Sequence, residues 1–461
     1  MKNKLIWLIL AAGLVLALVA CGNGANSSGT TEPTIPIPTY SVSAFKSDTD
    51  YPYPAIQNKL SWDAINKLPA KHEGMTIQEG RDMVVAFFNY AKTACWVPNT
   101  TISFVKNSKG SGDIIEKGHI YGGLPYVGVG SGNIYRLMDY MDPNTGVVDL
   151  ANAVNKDAPY DGWKTFGNQC SIGAYWGWGR AINSAKYTWT QGCVAKNNFV
   201  MLGNLKVKDS SGNLIPIQNA DRNWSSNTAQ KPDNYGTDEC IRDNKEQDLF
   251  EAYAKLLKGD GLVYYTTAGH VIMASSNATV VRKTDGTIDG DKSYIFMTDQ
   301  GQTWIEASND LGDNFEYKGG VDTKMTFNAL KRGNYIPFTF KEFTGEDPFD
   351  ATECKFSHTG EKITVAQLWE SKVTANYGIS DVYAVVYDSI GNEVYKHAVR
   401  AMQASTFELQ VKEKVTKGDV PYVETWGRLA FDAGETYTVA IVVQLSTGER
   451  PTVYTGNLVN H

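Results

Sequence analysis

The order of the periodic segments limits the fold more than any other feature of the sequence. Up to about residue 257 the apolar residues recur mainly at helical spacing, and from Leu262 onwards short alternating segments follow one another, separated by turn residues. The strand–helix–strand alternation that a parallel sheet would need is not visible. The order therefore predicts an α+β fold in which helices pack on an antiparallel sheet.

Besides a helix that begins at Cys170, three segments before Leu262 are predicted to be helical. The first is 61–68, and the second begins at the capping-box pattern Thr76 to Glu79 and continues with an apolar face. The third runs from about 246 to 257, where a Lys-Gly-Asp-Gly sequence breaks it. The strands predicted after these helices are 262–266, 270–275, 279–282 and 293–298.

The last part of the chain is predicted to be a separate all-β domain. We place the boundary near residue 345, where Gly, Pro and acidic residues follow an apolar segment. About seven short strands follow, and their spacing is typical of an immunoglobulin-like sandwich over 346–461, serving as a spacer or an accessory binding module. The predicted strands are 363–368, 372–377, 382–388, 393–398, 406–411, 427–430 and 437–444.

The N-terminal residues predict export and a lipid anchor. Lys2 and Lys4 precede an apolar run that ends in Leu-Val-Ala-Cys, so 1–20 has the pattern of a signal peptide. The last four residues resemble the bacterial lipobox, which implies acylation of Cys21 and an extracytoplasmic protein anchored to a bacterial membrane, at the cell surface or in the periplasm. Ordinary secretion is the alternative. Residues 21–45, rich in Gly, Asn, Ser, Thr and Pro, are predicted to form a flexible tether.

Composition limits the possible partners. The precursor carries 43 basic and 50 acidic residues, a net charge of −7, so nucleic acid is not expected as a partner. The histidines and acidic residues show no spacing typical of a zinc site, and we expect neither a metal nor another cofactor. The sequence leaves the oligomeric state open.

Five cysteines follow Cys21, and an odd number outside the cytoplasm leaves at least one thiol unpaired. No Cys-x-x-Cys pair occurs, so zinc ribbons and thioredoxin-type motifs have no support. The sequence allows a disulfide between Cys193 and Cys240 but does not decide it. The five are Cys95, Cys170, Cys193, Cys240 and Cys354.

One thiol and one imidazole lie in settings that suit catalysis. Cys170 precedes apolar residues at helical spacing, which predicts that it begins a helix, where the helix dipole lowers the pKa of a thiol. His270 follows about a hundred residues later on an early strand of the predicted sheet. This order, Cys before His, is the one that a papain-like thiol hydrolase needs.

Over about residues 117–305 the chain resembles the NlpC-type cell-wall cysteine peptidases, a papain-like family. The resemblance is carried by Gly-Leu-Pro-Tyr at 123–126, Cys-Ser at 170–171, Gly-Asp at 259–260 and Gly-His-Val at 269–271. It implies that 46–345 is a papain-like catalytic domain with insertions. It also implies hydrolysis of an amide bond in peptidoglycan stem peptides, between γ-D-glutamate and the diamino acid.

The resemblance also assigns roles to individual residues. Cys170 would be the nucleophile, and His270 the base that activates it and later protonates the leaving amine. The hydroxyl of Tyr126, with the backbone N–H of Cys170, would stabilise the oxyanion. A polar residue on the next strand should orient the imidazole. Asp299 and Gln300 are the candidates, and we prefer Asp299 because a carboxylate also stabilises the imidazolium.

The chain departs from the family pattern at several points. Gln169 stands where the family has Asp before the nucleophile, and 44 positions separate Tyr126 from Cys170, more than is usual. A further insertion spans about 193–240. Two alternatives therefore stay open: a papain-like amidase or transferase that acts on another extracellular amide, and a non-catalytic binding lipoprotein.

Overall fold

A computed structural model describes most of the chain from residue 50 onwards. The described ranges are 50–103, 114–127, 130, 132–154, 166–183, 199–209, 211–219, 236–266, 269–301, 321–358, 363–364, 371–408, 415–416, 421–422 and 436–459. The predicted signal peptide, the tether and Cys21 lie outside these residues. Within them, none of the helices has both the length and the apolar character needed to cross a membrane.

The described chain has the predicted α+β class, and its helices form where local signals favour them. Ser61 caps the first helix through a hydrogen bond from the Ala64 backbone N–H. Thr76 and Glu79 form the predicted capping box at the start of the second. The helices are Trp62–Lys67, Ile77–Thr93, Ile134–Met138, Leu150–Ala153, Cys170–Trp178, Thr237–Asp243, Glu246–Tyr253, Phe327–Arg332 and Lys341–Thr344.

A six-stranded sheet, here called the central sheet, carries the middle of the chain. Neighbouring strands are antiparallel throughout. His270 lies opposite Tyr264 in the register, and Ile272 lies opposite Asp299. In spatial order the strands are Thr323–Thr326, Tyr294–Asp299, Gly269–Ala274, Gly261–Tyr265, Ile336–Phe340 and Phe199–Met201.

The central sheet differs from the sequence prediction in two respects. Residues 279–282, predicted as a strand, form only isolated bridges from Thr279 and Arg282. Ile336–Phe340 was not predicted as a strand, although it lies in the interior of the sheet. Pro337 explains the omission, because proline cannot donate to a ladder and usually argues against a central strand. Here its carbonyl still accepts a hydrogen bond from the Leu202 backbone N–H at 3.0 Å.

The helix Cys170–Trp178 lies between the helix Ile77–Thr93 and the central sheet. Its glycines make this close approach possible. A Cβ atom at Gly177 would lie 2.9 Å from Met273 Cε on the sheet and 3.0 Å from Phe88 Cβ on the neighbouring helix. All nine residues of Cys170–Trp178 are buried, so the helix forms part of the core.

A second sheet, here called the C-terminal sheet, follows residue 353. The strand Lys372–Tyr387 pairs with three others and continues through a register irregularity near Ile379 to Asp381. The prediction of two strands there, and of two more between 393 and 411, was wrong, since each pair is one strand of 16 residues. The strands are Cys354–Ser357, Lys372–Tyr387, Glu393–Glu408, Tyr437–Leu445, Thr452–Val459 and Ile363–Thr364. The strand predicted at 427–430 lies outside the described residues.

Shorter strand pairs complete the described structure, and a small three-stranded sheet accompanies the first half of the chain. The three-stranded sheet comprises Tyr121–Gly122, Cys95–Pro98 and Val147–Val148. The pairs are Ile102–Ser103 with Ile114–Ile115, Lys206–Lys208 with Leu214–Pro216, and Val415–Thr416 with Pro421–Tyr422. The described residues form one compact unit, in which the C-terminal sheet packs against the helical part of the chain.

Candidate active site

Cys170 is the first residue of its helix, as its sequence setting predicts. Gln169 precedes it in an extended conformation, and the Gln169 backbone N–H donates to Gly130 O at 3.2 Å. The Cys170 side chain is buried, and its Sγ lies 3.9 Å from Gly269 O on the central sheet. The thiol therefore sits at the positive end of the helix dipole, facing the strand that carries His270.

His270 connects the thiol to a carboxylate. Its Nε2 lies 2.8 Å from Asp299 Oδ2, on the neighbouring strand. The imidazole is also close enough to the Cys170 thiol for its hydrogen bonding and charge to shift the pKa of both groups. The structure thus brings Cys170, His270 and Asp299 together, and the imidazole interacts with both other side chains. This arrangement is here called the Cys–His–Asp line.

The electrostatics of this line favour an ion pair. Burial raises the pKa of the Cys170 thiol, but the hydrogen bond and charge of His270, with backbone N–H groups of Val271 and Ser171, outweigh it and lower the pKa. Burial lowers the pKa of His270, but its hydrogen bonds to Asp299 and Cys170 and their charges raise it to about 9. Both shifts favour the thiolate and imidazolium forms, which a thiol nucleophile and its base require.

Gln300, the other candidate for orienting the imidazole, faces away from it. Its side chain is buried, accepts from Lys92 Nζ at 2.6 Å and donates to Leu124 O at 3.0 Å. Its Cβ packs against Gly173 on the helix that begins at Cys170. Asp299 and Gln300 are adjacent in the chain, so they face opposite sides of the sheet, and Asp299 is the one that contacts His270.

Lys92 is a residue of the site that sequence reasoning missed. Burial lowers its pKa to about 8, although the charge of Asp299 opposes this shift. Burial raises the pKa of Asp299, but the hydrogen bond and charge of His270 and the charge of Lys92 bring it below the usual range. A lysine among the apolar residues of the helix Ile77–Thr93, close to Phe88, was the available signal.

Tyr126 lies beside the segment that leads to Cys170. Its backbone forms an isolated parallel bridge with Asn168, two residues before Cys170. On either side of this bridge the Asn168 N–H donates to Pro125 O at 3.0 Å, and the Val127 N–H donates to Asn168 O at 2.9 Å. After the insertion that follows Tyr126, the chain therefore pairs with the backbone around Tyr126 again, two residues before Cys170.

Two tyrosines line the site on the side of His270. The Tyr264 ring centroid lies 6.3 Å from that of His270, and Tyr335 packs edge-on against Tyr264 at 5.4 Å. Burial and the nearby charges of Asp299 and Cys170 raise the pKa of Tyr335, so its hydroxyl lies within electrostatic reach of the Cys–His–Asp line. Sequence reasoning did not single out either residue.

The Gly-Asp segment at 259–260, which carried part of the resemblance, forms buried contacts at the start of the strand Gly261–Tyr265. Asp260 is buried and forms an ion pair with Arg81 at 2.7 Å. It also accepts hydrogen bonds from the Thr339 hydroxyl and, at 2.8 Å, from the Leu257 N–H. The Trp178 indole N–H donates to Gly259 O at 2.7 Å, at the C-terminal end of the helix that begins at Cys170. These contacts fix the turn into the strand Gly261–Tyr265.

Two other described cysteines, Cys95 and Cys240, are unlike Cys170. Burial raises the pKa of Cys95 to about 11, and burial with the charge of Asp243 raises that of Cys240 to about 12. Cys240 is a free thiol in the structure, and Cys193, with which the sequence allows but does not decide a disulfide, lies outside the described residues. Among the residues described here, no three His, Cys, Asp or Glu side chains are grouped so as to hold a metal ion.

Comparison with protein-family models, with curated proteins and with solved structures finds no match to this chain.

Proposed function

We propose that the chain is an extracytoplasmic cysteine hydrolase that cleaves an amide bond in peptidoglycan stem peptides. The observation that carries the proposal is the line formed by Cys170, His270 and Asp299, with the thiol at a helix N-terminus. A thiol, an imidazole and a carboxylate in this order form the constellation of a thiol hydrolase. The substrate class, and the bond between γ-D-glutamate and the diamino acid, come from the sequence resemblance.

The proposed reaction begins with attack of the Cys170 thiolate on the amide carbonyl carbon. A carbon–sulfur bond forms, and the oxyanion accepts hydrogen bonds from the Cys170 backbone N–H and the Tyr126 hydroxyl. The carbon–nitrogen bond then breaks, and the His270 imidazolium donates its proton to the leaving amine. Asp299 holds the imidazole in the required orientation during this step.

Water completes the proposed cycle. Neutral His270 accepts a proton from a water molecule, whose oxygen attacks the thioester carbon. The carbon–sulfur bond breaks and releases the carboxylic acid product. The thiolate of Cys170 and the imidazolium of His270 are then both restored, as in the resting ion pair that the pKa shifts favour.

The finer fold assignments belong to the same proposal. A papain-like arrangement over 46–345 is supported by a helix with an N-terminal cysteine packed on an antiparallel sheet that carries the histidine. An immunoglobulin-like sandwich over 346–461 has weaker support, because the longer described strands of this region belong to one sheet.

Mass spectrometry of muropeptides tests the proposed activity. Purified peptidoglycan is incubated with protein that lacks residues 1–39, and in parallel with its Cys170→Ala variant. We expect new fragments from the unsubstituted protein alone, with masses that identify the cleaved bond. Equal digestion by Cys170→Ala would contradict the proposal. Products in which a new amine replaces water as the acceptor would instead indicate the transferase alternative.

The proposed location depends on acylation of Cys21. We expect the protein to sediment with the membrane fraction of the cell that produces it, and the Cys21→Ala variant to lose this association, because a lipid anchor supplies the membrane affinity. Immunoblots of membrane and soluble fractions measure the difference. Membrane association that persists at full level in Cys21→Ala would contradict a lipid anchor at this residue.

A further inference from the structure

The C-terminal sheet contacts the region before the nucleophile through two fully buried polar residues. Ser380 and Asp381 lie at the irregularity of the strand Lys372–Tyr387. Asp381 Oδ1 accepts from Arg136 Nε at 3.1 Å, in an ion pair whose side chains are 2% and 0% exposed. Ser380 Oγ accepts from Asn133 Nδ2 at 2.7 Å, and Ser380 O accepts from Arg136 Nη2 at 2.9 Å.

From Asn133 the contact continues to the start of the nucleophile's helix. The Gly132 N–H donates to Gly167 O at 2.7 Å, and Gly130 O accepts from the Gln169 N–H at 3.2 Å. A Cβ atom at Gly130 would lie 2.4 Å from Gly167 O, so the two backbones are in direct contact. A displacement of Asn133 would therefore pass through backbone atoms to the residue before Cys170.

The C-terminal sheet also contacts the other end of the same helix. Ser446 Oγ donates to Gly179 O at 2.8 Å, and Gly179 is the C-terminal capping residue of the helix. A Cβ atom at Gly179 would lie 2.8 Å from Ser446 Cβ, which leaves no space between them. Two residues further along, Ala181 O accepts from the Tyr377 hydroxyl at 3.3 Å. Both ends of the nucleophile's helix are thus connected to the C-terminal sheet through hydrogen bonds.

We propose that the C-terminal sheet is a positioning element of the active site, in which Ser380 and Asp381 fix the N-terminal end of the nucleophile's helix and Ser446 fixes its C-terminal end. The inference rests on the proposed function in treating Cys170 as the nucleophile. It gives the C-terminal sheet a role other than the spacer or binding module that the sequence suggests.

The buried ion pair between Arg136 and Asp381 is of a kind that restricts the positions of the groups it joins more than it adds stability. A buried ion pair such as Arg136 with Asp381 contributes little net stability, because desolvation offsets the attraction, whereas it restricts the arrangement of the groups it joins. Catalytic rates are sensitive to such restriction, since a displacement of about 1 Å can lower a rate about 10²-fold. The Cys170–His270 contact joins this helix to the central sheet, so it depends on where the helix is held.

Alkylation of Cys170 by iodoacetamide across pH, followed residue by residue by mass spectrometry, tests the inference. Ser380→Ala and Ser446→Ala each remove one hydroxyl from opposite ends of the helix. Ser293→Ala is the matched control, because Ser293 is equally buried and makes two hydrogen bonds to the Val281 backbone. It immediately precedes the strand Tyr294–Asp299, at the end away from Asp299.

We expect Ser380→Ala and Ser446→Ala to move the midpoint of the Cys170 profile to higher pH and to slow alkylation at pH 6 about threefold to tenfold, as loss of one or two hydrogen bonds allows. Ser293→Ala should lower the unfolding temperature by a similar amount and leave the profile unchanged. If Ser380→Ala does not fold, Ser446→Ala carries the test alone. A profile unchanged in the helix-end variants, or shifted equally in the control, would overturn the inference.

Alkylation requires no substrate, so this test and the test of hydrolysis fail independently. A shifted profile in a protein that produces no muropeptide fragments would leave the positioning role in place and refute the proposed cleavage of peptidoglycan. Muropeptide fragments together with an unshifted profile would support the hydrolase and refute the positioning role.

Discussion

Replacing His270 with alanine is expected to lower peptidoglycan turnover by about 10²-fold to 10⁴-fold, the range that a general acid–base residue contributes. In the proposed reaction His270 both lowers the pKa of the Cys170 thiol and donates the proton to the leaving amine. Its loss removes both effects at once. Fragment release, measured by chromatography of muropeptides over time, gives the rate.

The pH dependence of turnover and of Cys170 alkylation, in the unsubstituted protein and in His270→Ala, tests whether His270 acts by lowering the thiol pKa and donating a proton. In the unsubstituted protein the thiol pKa is lowered and the pKa of His270 is raised to about 9. Turnover should therefore fall as pH rises through about 9, where the imidazolium loses its proton. In His270→Ala the remaining effect of burial raises the thiol pKa, so alkylation of Cys170 at pH 6 to 7 should slow markedly.

His72→Ala is the matched control for this substitution. His72 is exposed and pairs with Glu79 at 3.7 Å, outside the site. We expect this variant to keep both the turnover and the pH profile of Cys170. Turnover in His270→Ala above a tenth of the original rate would show that His270 is not the acid–base group.

The sequence is sufficient for the parts of the site that depend on local signals. Apolar residues at helical spacing after Cys170 predict a helix start there, and the structure has it at this residue. Alternation predicts the strand of His270 to within one residue. The choice between Asp299 and Gln300 depends instead on which face of the strand meets the imidazole, and only the register of the assembled sheet determines this.

The contacts that reach across the chain are the ones that the sequence does not reveal. Gly378, Ser380 and Asp381 are residue types typical of turns, and they favour two short strands where the structure has one. Arg136, 245 positions away, provides the buried partner for Asp381 that lets the strand continue through the irregularity. Lys92 is similar, because its burial beside Gln300 depends on packing between a helix and a distant strand.

Replacing Asp299 with alanine is the second substitution with a large expected effect. Among the interactions that raise the pKa of His270 against its burial, the hydrogen bond to Asp299 is the largest. Without it we expect turnover to fall about 10²-fold, because the imidazole loses the group that orients it and stabilises its charge. The alkaline limit of turnover should also move below about 9, since the imidazolium then loses its proton at lower pH.

Asp299→Asn separates the orienting effect of Asp299 on the His270 imidazole from the effect of its charge. Gln300→Ala tests the effect of packing beside the site. Asp299→Asn keeps an oxygen that accepts from His270 Nε2 but removes the charge, so it should recover part of the rate while its alkaline limit of turnover stays lowered.

Gln300→Ala should keep the alkaline limit of turnover near 9, because the contact between His270 and Asp299 is intact. It should cost about 2 kcal/mol of unfolding free energy, since Lys92 loses a buried hydrogen bond. Rate profiles against pH and chemical denaturation measure these outcomes, and an alkaline limit that Gln300→Ala lowers as far as Asp299→Ala would contradict the assignment of Asp299.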